Sequence, residues 1–155
     1  MSEPVAELYS LLIPLMERRL MVPRACVAEV IGFSEPDANS SDFEWYLGGI
    51  HWDGRLVPVI SFEGCCGDPI PGAGRRSRLV IFHATSGELS SRFFAIVSQG
   101  FPQLVRVSPG VLSTEPDDKK NEHLPILCQL KMINEYPLVP DLEKLEKMIL
   151  KAEES

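Results

Sequence analysis

The chain has 155 residues, a hydrophobic fraction of 45% and a formal net charge of −7. This length suits one domain with a sizeable core, and the hydrophobic fraction argues against a disordered chain. The acidic balance disfavours nucleic acid as a partner, because such binding begins with lysine and arginine side chains that neutralise phosphates.

The N-terminal residues Met1 to Glu7 lack the basic region of a signal peptide. No apolar run approaches the roughly 20 residues that a helix needs to cross a bilayer. We therefore expect a cytoplasmic protein without membrane insertion.

Apolar runs separated by polar or glycine-rich loops dominate the chain. Their length and their content of valine and isoleucine predict a mainly β protein. Besides the hairpin described next, the predicted strands cover residues 8–15, 20–23, 25–33, 79–82, 93–97, 104–107, 126–132 and 136–139.

Residues 45–62 carry the clearest local signal, the pair Asp53-Gly54 between two β-rich runs. An Asp-Gly pair in this setting predicts a tight two-residue hairpin turn, because glycine adopts a positive φ without steric cost. Val59 and Ile60 follow in the second strand, and we expect that strand to line a core.

Residues 64–76 (GCCGDPIPGAGRR) contain four glycines and two prolines, which predicts a loop or hinge between two halves. A weak repeat points the same way, since residues 56–62 (LVPVISF) resemble residues 137–142 (PLVPDL). Each segment follows a turn, and a valine-rich strand precedes each turn. Two small β-barrels side by side would satisfy this pattern and remove exposed strand edges.

Only the C-terminal segment shows helical periodicity. Asp141 can cap a helix, and Glu143 and Lys147 are spaced as a favourable i,i+4 pair. The apolar residues of one helical face are Leu142, Leu145, Met148 and Ile149. We expect this helix to pack on the core, with one domain over residues 8–150 and flexible tails at 1–7 and 151–155.

The four cysteines are expected to be reduced thiols. Cys26 and Cys128 lie in apolar runs, where cysteine behaves as a small buried hydrophobe. Cys65 and Cys66 are adjacent, and adjacent cysteines rarely pair because the ring is strained. Since no histidine has the spacing of a zinc ligand, we expect neither a metal nor another cofactor.

One enzymatic alternative remains, a small cytoplasmic thiol enzyme or hydrolase that uses Cys65 or Cys66. A catalytic thiol needs a base and an orienting group, and His51 and His83 are the available histidines. We interpret these residues instead as loop thiols and as structural or exposed histidines. No residue is therefore predicted to be catalytic.

Residues 48–60 (GGIHWDGRLVPVI) resemble the signature of CheW-like domains, G-x-x-N-L-R-G-x-x-x-P-V-I-D-L. Further segments resemble that family in the same order: residues 19–31 (RLMVPRACVAEVI), 78–81 (RLVI), 112–116 (LSTEP) and 138–142 (LVPDL). By this resemblance the chain is identified as a member of the family from residue 8 to about residue 150. The resemblance implies two fused five-stranded β-barrels with a C-terminal helix.

Members of this family are adaptors rather than enzymes. The resemblance implies a non-enzymatic scaffold that couples a methyl-accepting chemoreceptor to the regulatory domain of a CheA-type histidine kinase. The kinase is expected on one barrel, and the receptor or another adaptor in the groove between the barrels. Departures from the signature suggest an accessory chemosensory adaptor, serving type IV pili and twitching motility.

The resemblance also indicates four partner-binding residues, Val27, Glu29, Trp52 and Asp53. Glu29 interrupts a valine-rich strand, where simple alternation toward solvent would also explain a charge. Trp52 suits either barrel packing or an exposed interface anchor.

Two of the departures concern charged positions of the signature. Asp53 stands where arginine is typical, and Ser61 stands where the aspartate of P-V-I-D is typical. In relatives that arginine can pair with a glutamate at the position of Glu29, whereas two carboxylates repel. We expect Arg55 or Arg24 to compensate, or the strands to splay so that each acid faces solvent.

Overall fold

The computed structural model describes residues 8–37, 41–107, 113–114, 123–132 and 134–154. The strands are Leu8–Pro14 (β1), Arg19–Pro23 (β2), Val27–Gly32 (β3), Tyr46–Trp52 (β4), Arg55–Ile60 (β5), Arg78–His83 (β6), Phe93–Ser98 (β7), Gln103–Val107 (β8), Ser113–Thr114 (β9), Ile126–Lys131 (β10) and Leu138–Pro140 (β11). The helices are Phe62–Cys65 (α1) and Leu142–Glu154 (α2), and a 3-10 turn at Arg24–Cys26 precedes β3. Within these ranges, neither helix is long and apolar enough to cross a membrane.

The strands form two sheets. The central sheet has the order β3-β6-β7-β5-β4, and the terminal sheet has the order β8-β1-β2-β11-β10, with the two-residue β9 beside β10. Neighbouring strands are antiparallel except for β5 with β7 and β11 with β2. The predicted mainly β fold with two five-stranded units and a C-terminal helix is confirmed.

The boundary between the sheets lies elsewhere than expected. Residues 64–76 connect β5 to β6, and both strands belong to the central sheet. The terminal sheet instead combines β1 and β2 with the strands that follow residue 102. Glycine and proline content predicted an irregular connection, and the structure confirms it from residue 66 onward, whereas residues 64 and 65 end helix α1. This composition also does not tell which strands the connection joins. The interpretation of this segment as a hinge between two halves is therefore wrong.

The C-terminal end is also more ordered than expected. Helix α2 continues through Glu154, and Ala152 is buried. Residue 151 therefore does not begin a flexible tail, because the helix keeps an apolar face against the core. The expected tail at residues 1–7 and residue 155 lie outside the described residues, as do residues 112, 115 and 116 of the segment LSTEP.

Each sheet has a core of its own, and a third core joins the two sheets. The core of the terminal sheet contains Leu12, Met21 and Val107. The core of the central sheet contains Ile50, Val57, Val59, Leu79, Ile81, Ala95 and Val97. The shared core lies between the sheets and α2 and includes Ile60, Phe62, Phe82, Leu89, Phe94, Leu145 and Ile149.

The edges of the central sheet approach one another without a continuous ladder. Asp37, shortly after β3, forms an isolated bridge with Gly49 of β4. The Asp37 amide donates to the Gly49 carbonyl at 2.8 Å. Within the described ranges no ladder of strand pairing closes either sheet, so the expected barrels are open.

The sequence repeat corresponds to a structural repeat. Read from β4, the central sheet runs β4-β5-β7-β6-β3, and the terminal sheet runs β10-β11-β2-β1-β8 with the same parallel and antiparallel senses. Segments 56–62 and 137–142 occupy equivalent places, each as a strand that leads into a helix. The predicted repeat is therefore confirmed, although β1 and β2 come from the other end of the chain.

Local signals at the turn and at the helix start behave as predicted. Asp53 has a φ of 49° and Gly54 a φ of 71°, as in a two-residue hairpin turn of type I′. The Asp141 carboxylate caps α2 by accepting a hydrogen bond from the Lys144 amide at 3.0 Å. Glu143 and Lys147 lie 3.8 Å apart on the exposed face of α2.

Candidate functional site

The first candidate surface joins β3 to the β4–β5 hairpin. The register of β3 against β6 shifts between Val27 and Glu29, which is a β-bulge. A bulge re-aims side chains, and here it directs Glu29 toward Trp52. The indole Nε1 of Trp52 donates a hydrogen bond to Oε2 of Glu29 at 2.7 Å. This bond connects the two edge strands of the central sheet.

Trp52 packs against Phe93, and Phe93 in turn contacts Arg55. The rings of Trp52 and Phe93 meet edge to face with centroids 4.9 Å apart. The Arg55 guanidinium lies 5.2 Å from the Phe93 centroid and donates a hydrogen bond to the Ser91 carbonyl at 3.1 Å. Trp52 is half-buried against the core of the central sheet. We call Glu29, Trp52, Asp53, Arg55 and Phe93 the hairpin surface.

The acid at position 53 does not leave Glu29 without a partner. Asp53 occupies the turn, and the side chains of Asp53 and Glu29 are both exposed. Each acid therefore faces solvent, which was one of the two alternatives expected from the sequence. The expected arginine compensation by Arg55 does not occur, because that side chain reaches Ser91 and Phe93. Instead, the neutral indole of Trp52 donates to Glu29, and neither acid of the hairpin surface is paired with Arg55.

Val27 lies apart from the other three predicted residues. It is half-buried and packs against the shared core, whereas Trp52 packs against the core of the central sheet. The bulge explains this separation, because it changes which face of β3 each residue takes. The structure therefore divides the four predicted residues between two surfaces.

Val27 packs against the shared core, and we group it with exposed residues of the terminal sheet that lie on the side of that core. The 3-10 turn before it contacts β1, where Leu11 packs against the same shared core. Leu11 pairs with Leu104 of β8, which is 49% exposed, and Tyr9 lies on the same face of β1. We call Tyr9, Val27, Leu104 and Arg106 the seam surface.

A polar contact stiffens one end of the seam surface. Arg106 donates from Nε and Nη2 to the Tyr9 hydroxyl at 3.1 and 2.9 Å. Its guanidinium also lies 5.4 Å from the Tyr9 ring centroid. The surface thus combines exposed apolar side chains with one ordered cation, a composition found at interface hot spots.

Ser61 stands where the signature has an aspartate, and it acts as a helix cap, which an aspartate can also do. Its hydroxyl accepts a hydrogen bond from the Gly64 amide at 3.1 Å and so caps α1. Asp141 caps α2 at the equivalent place of the repeat. Serine and aspartate are comparable helix caps, so this departure leaves the fold unchanged.

Two buried glutamates, which sequence reasoning missed, connect the sheets. Glu63 of α1, which follows the central sheet, accepts a hydrogen bond from the Met16 amide in the β1–β2 turn at 3.2 Å. Glu146 of α2, which follows the terminal sheet, accepts from the Thr85 and Ser86 amides in the β6–β7 loop at 3.1 and 3.0 Å. We call these contacts the Glu63 link and the Glu146 link. In the sequence, both glutamates follow a predicted or possible helix cap within five residues, and this position is the only signal that could have indicated them.

The adjacent cysteines do not have the properties of a nucleophile. Burial raises the pKa of the Cys66 thiol to about 11, and burial also raises the pKa of Cys65. A thiol at neutral pH in these places is protonated and weakly reactive. Cys66 faces a cavity of about 400 Å³, and no histidine lines it. His51 instead lies 3.8 Å from Asp37, and His83 lies against Phe93.

The chain matches the model of the CheW-like domain over residues 10–146. Its structure is similar to the crystal structure of the scaffolding protein TtCheW from Thermoanaerobacter tengcongensis, with a TM-score of 0.76. The two chains are 15% identical, and the superposition covers 92% of this chain and 89% of the other. No curated protein sequence matches the chain. Because the family model spans most of its length, the chain belongs to the family of CheW-like domains.

Proposed function

We propose that this chain is a non-enzymatic cytoplasmic adaptor that couples chemoreceptors to a CheA-type histidine kinase. The observation that carries the proposal is the presence of two separate surfaces on one domain, the hairpin surface and the seam surface, which pack against different cores. An adaptor needs two such surfaces, whereas an enzyme needs converging reactive groups in one cleft. Membership in the CheW-like family supports the same role.

The hairpin surface is proposed to bind the regulatory domain of the kinase. Trp52 offers a large aromatic area that is held in place by Glu29 and Phe93, so little side-chain entropy is lost on binding. Asp53 and Glu29 add negative charge at the rim. Rim charges steer association and select partners more than they add affinity.

The seam surface is proposed to bind the tip of a receptor or a second adaptor. Tyr9 and Leu104 are 42% and 49% exposed, and Val27 borders the shared core. A helical receptor segment could present an apolar stripe to such a surface. The two proposed sites lie on different cores, so a receptor and a kinase can be held together.

The proposed mechanism is scaffolding rather than chemistry. A conformational change in a bound receptor would alter the free energy of the kinase conformations through their shared attachment to this chain. The inner strands β5, β6 and β7 of the central sheet are buried on both faces, which suits that transmission.

The proposal extends to an accessory role in a chemosensory system that controls type IV pili and twitching motility. It is supported by the acid at Asp53 in place of the typical arginine, which suggests partners other than those of a standard CheW. Deleting the chain should abolish directed twitching while flagellar swimming persists. Loss of swimming alone would contradict this extension.

A pull-down with single-surface variants tests the adaptor role. Trp52→Phe keeps ring packing but removes the donor to Glu29, and it should weaken retention of the kinase regulatory domain alone. Leu104→Asp should weaken retention of a receptor tip alone. Leu127→Asp, at a 62% exposed residue of β10, should leave both partners bound. Loss of both partners in every variant would contradict two separate surfaces.

A further inference from the structure

The β6–β7 loop, residues 84–92, connects α2 to the hairpin surface. At its start, Oε2 of Glu146 accepts from the Thr85 amide and hydroxyl at 3.1 and 3.4 Å, and Oε1 accepts from the Ser86 amide at 3.0 Å. Glu146 is 2% exposed, and its buried carboxyl group accepts hydrogen bonds from two backbone donors. A buried carboxylate with three hydrogen bonds holds its partners in one geometry.

The other end of the same loop supports the hairpin surface. The Ser91 carbonyl accepts a hydrogen bond from Arg55, and the Ser91 hydroxyl donates to the Phe93 carbonyl at 2.6 Å. Phe93 in turn carries the ring of Trp52. Between the two ends, Leu89 is buried in the shared core and its carbonyl accepts from the Arg92 amide.

We propose that Glu146 is a positioning residue for the hairpin surface. It holds the start of the loop, so that Ser91 and Phe93 meet Arg55 and Trp52 in the geometry that the partner recognises. The inference rests on the proposed kinase-binding role of that surface. In this proposal, helix α2, which follows the terminal sheet, influences the affinity of the hairpin surface for the kinase domain.

The Glu63 link provides a matched control within the same chain. Glu63 is also a buried glutamate, and it also accepts a backbone amide from a turn of the opposite sheet. Its surroundings contain the other tryptophan, since the carbonyl of Trp45 accepts from the Ser61 amide and its Cβ lies against Gly64. Each tryptophan therefore lies beside the structure held by one of the two links.

The first experiment compares Glu146→Gln with Glu63→Gln in the full chain by amide and indole NMR, with Trp45→Phe used to assign the two indole signals. Glutamine keeps the shape of the side chain but replaces one acceptor oxygen by a donor. We expect Glu146→Gln to shift the Trp52 indole signal and to accelerate amide exchange at Thr85 and Ser86. Glu63→Gln should shift the Trp45 signal and leave Trp52 in place.

The second experiment measures binding of the isolated kinase regulatory domain to the same variants. Glu146→Gln should raise the dissociation constant roughly three- to tenfold, a size expected of residues that act through a network. Glu63→Gln should change it by less than about twofold, even at equal loss of stability. Equal effects of the two variants would overturn the proposal, because they would show general destabilisation.

The readouts separate two kinds of failure. Faster exchange at Thr85 and Ser86 with an unchanged Trp52 signal and unchanged affinity would overturn the positioning role alone. Failure of the wild-type chain to bind the kinase domain would overturn the proposed function, while the Trp52 signal would still decide the positioning. If Glu146→Gln does not fold, Ser86→Pro removes the Ser86 amide donor to Glu146 and is subject to the same expectations. Its control is Ser86→Ala, which removes only the hydroxyl that accepts from the Glu88 amide.

Discussion

The central and terminal sheets have one strand order and differ in the helix that follows the repeated hairpin. Helix α1 has four residues and α2 has 13. Both begin at a side-chain cap, Ser61 in one and Asp141 in the other. The single turn of α1 contributes Phe62 to the shared core, whereas α2 adds Leu145 and Ile149. The comparison shows that the same sheet tolerates different helices, provided that the shared core is filled.

The two glutamate links cross between the sheets in opposite directions. Glu63 belongs to the helix that follows the central sheet and reaches a turn of the terminal sheet, and Glu146 does the reverse. An apolar core is not directional and specifies relative placement weakly, whereas hydrogen bonds to backbone donors specify it. We infer that these links fix how the two sheets sit against each other.

The sheets also differ in burial. Strands β5, β6 and β7 of the central sheet are covered on both faces, by the shared core and by the core of that sheet. In the terminal sheet, β8 and β10 alternate between covered and exposed side chains. The central sheet is therefore the more stable platform, and it carries the hairpin surface.

The largest expected effect tests this difference with equivalent valines. Val59 and Val139 occupy the same place in the repeat, but Val59 is fully buried and Val139 is half-buried. Ile60→Ala should cost about 2–5 kcal/mol of unfolding free energy, and Val59→Ala should cost more than Val139→Ala. Leu56→Ala, at a 57% exposed residue of the same strand, should stay within about 0.5 kcal/mol. Unchanged denaturation midpoints for both Val59→Ala and Ile60→Ala would contradict the assigned hairpin.

A second prediction concerns the tight turn of the central sheet. Gly54 has a φ of 71° with open space around its Cα, so conformation rather than crowding limits substitution there. Gly54→Val should destabilise the fold by at least about 1–2 kcal/mol, because a β-branched residue is strained at positive φ. Gly72→Val, where space is open and φ is not in the left-handed region, is the control. Equal unfolding midpoints for the two variants would sink this explanation.

Most elements of both sheets were predictable from short-range patterns. The strand runs, the Asp53-Gly54 turn and the capped helix at Asp141 depend on neighbouring residues, which a sequence displays directly. The repeat between residues 56–62 and 137–142 even indicated which strands are equivalent. Pairing between β2 and β11 was not predictable, because it joins residues from opposite ends of the chain.

The candidate site was predictable only in part. Glu29 and Trp52 do meet, but their bond depends on a bulge whose position the alternation of β3 does not reveal. Phe93 and Arg55 join them through the pairing order of the central sheet. Helix α1 was missed because Cys65-Cys66 lie in a glycine-rich segment that predicts a loop. Tertiary packing outweighed local propensity there.

A third prediction uses pH to test the Glu63 link. Burial raises the pKa of Glu63, with the Asp68 carboxylate adding to the rise and the Met16 amide and the Ser61 hydroxyl opposing it. The folded state therefore binds more protons than the unfolded state between the ordinary and the raised pKa. Stability should fall as pH rises through that window, and Glu63→Gln should remove this slope. Glu143→Gln on the exposed face of α2 should keep it, and a persistent slope in Glu63→Gln would contradict the assignment.

The smallest expected effect concerns partner choice at the hairpin surface. Asp53 carries its charge at a φ of 49°, a conformation that asparagine and aspartate tolerate better than arginine. Asp53→Asn should therefore remove the charge without loss of stability, while Asp53→Arg should cost about 1 kcal/mol and reverse the charge. Exposed pairs contribute only about 0.2–1 kcal/mol each, so the change should appear in the ranking of partners and in its salt dependence. We expect Asp53→Arg to bind kinase regulatory domains that a standard CheW binds and the wild-type chain rejects, with Asp53→Asn between them. If all three proteins bind the same kinase domains with equal affinity at low salt, Asp53 does not tune specificity.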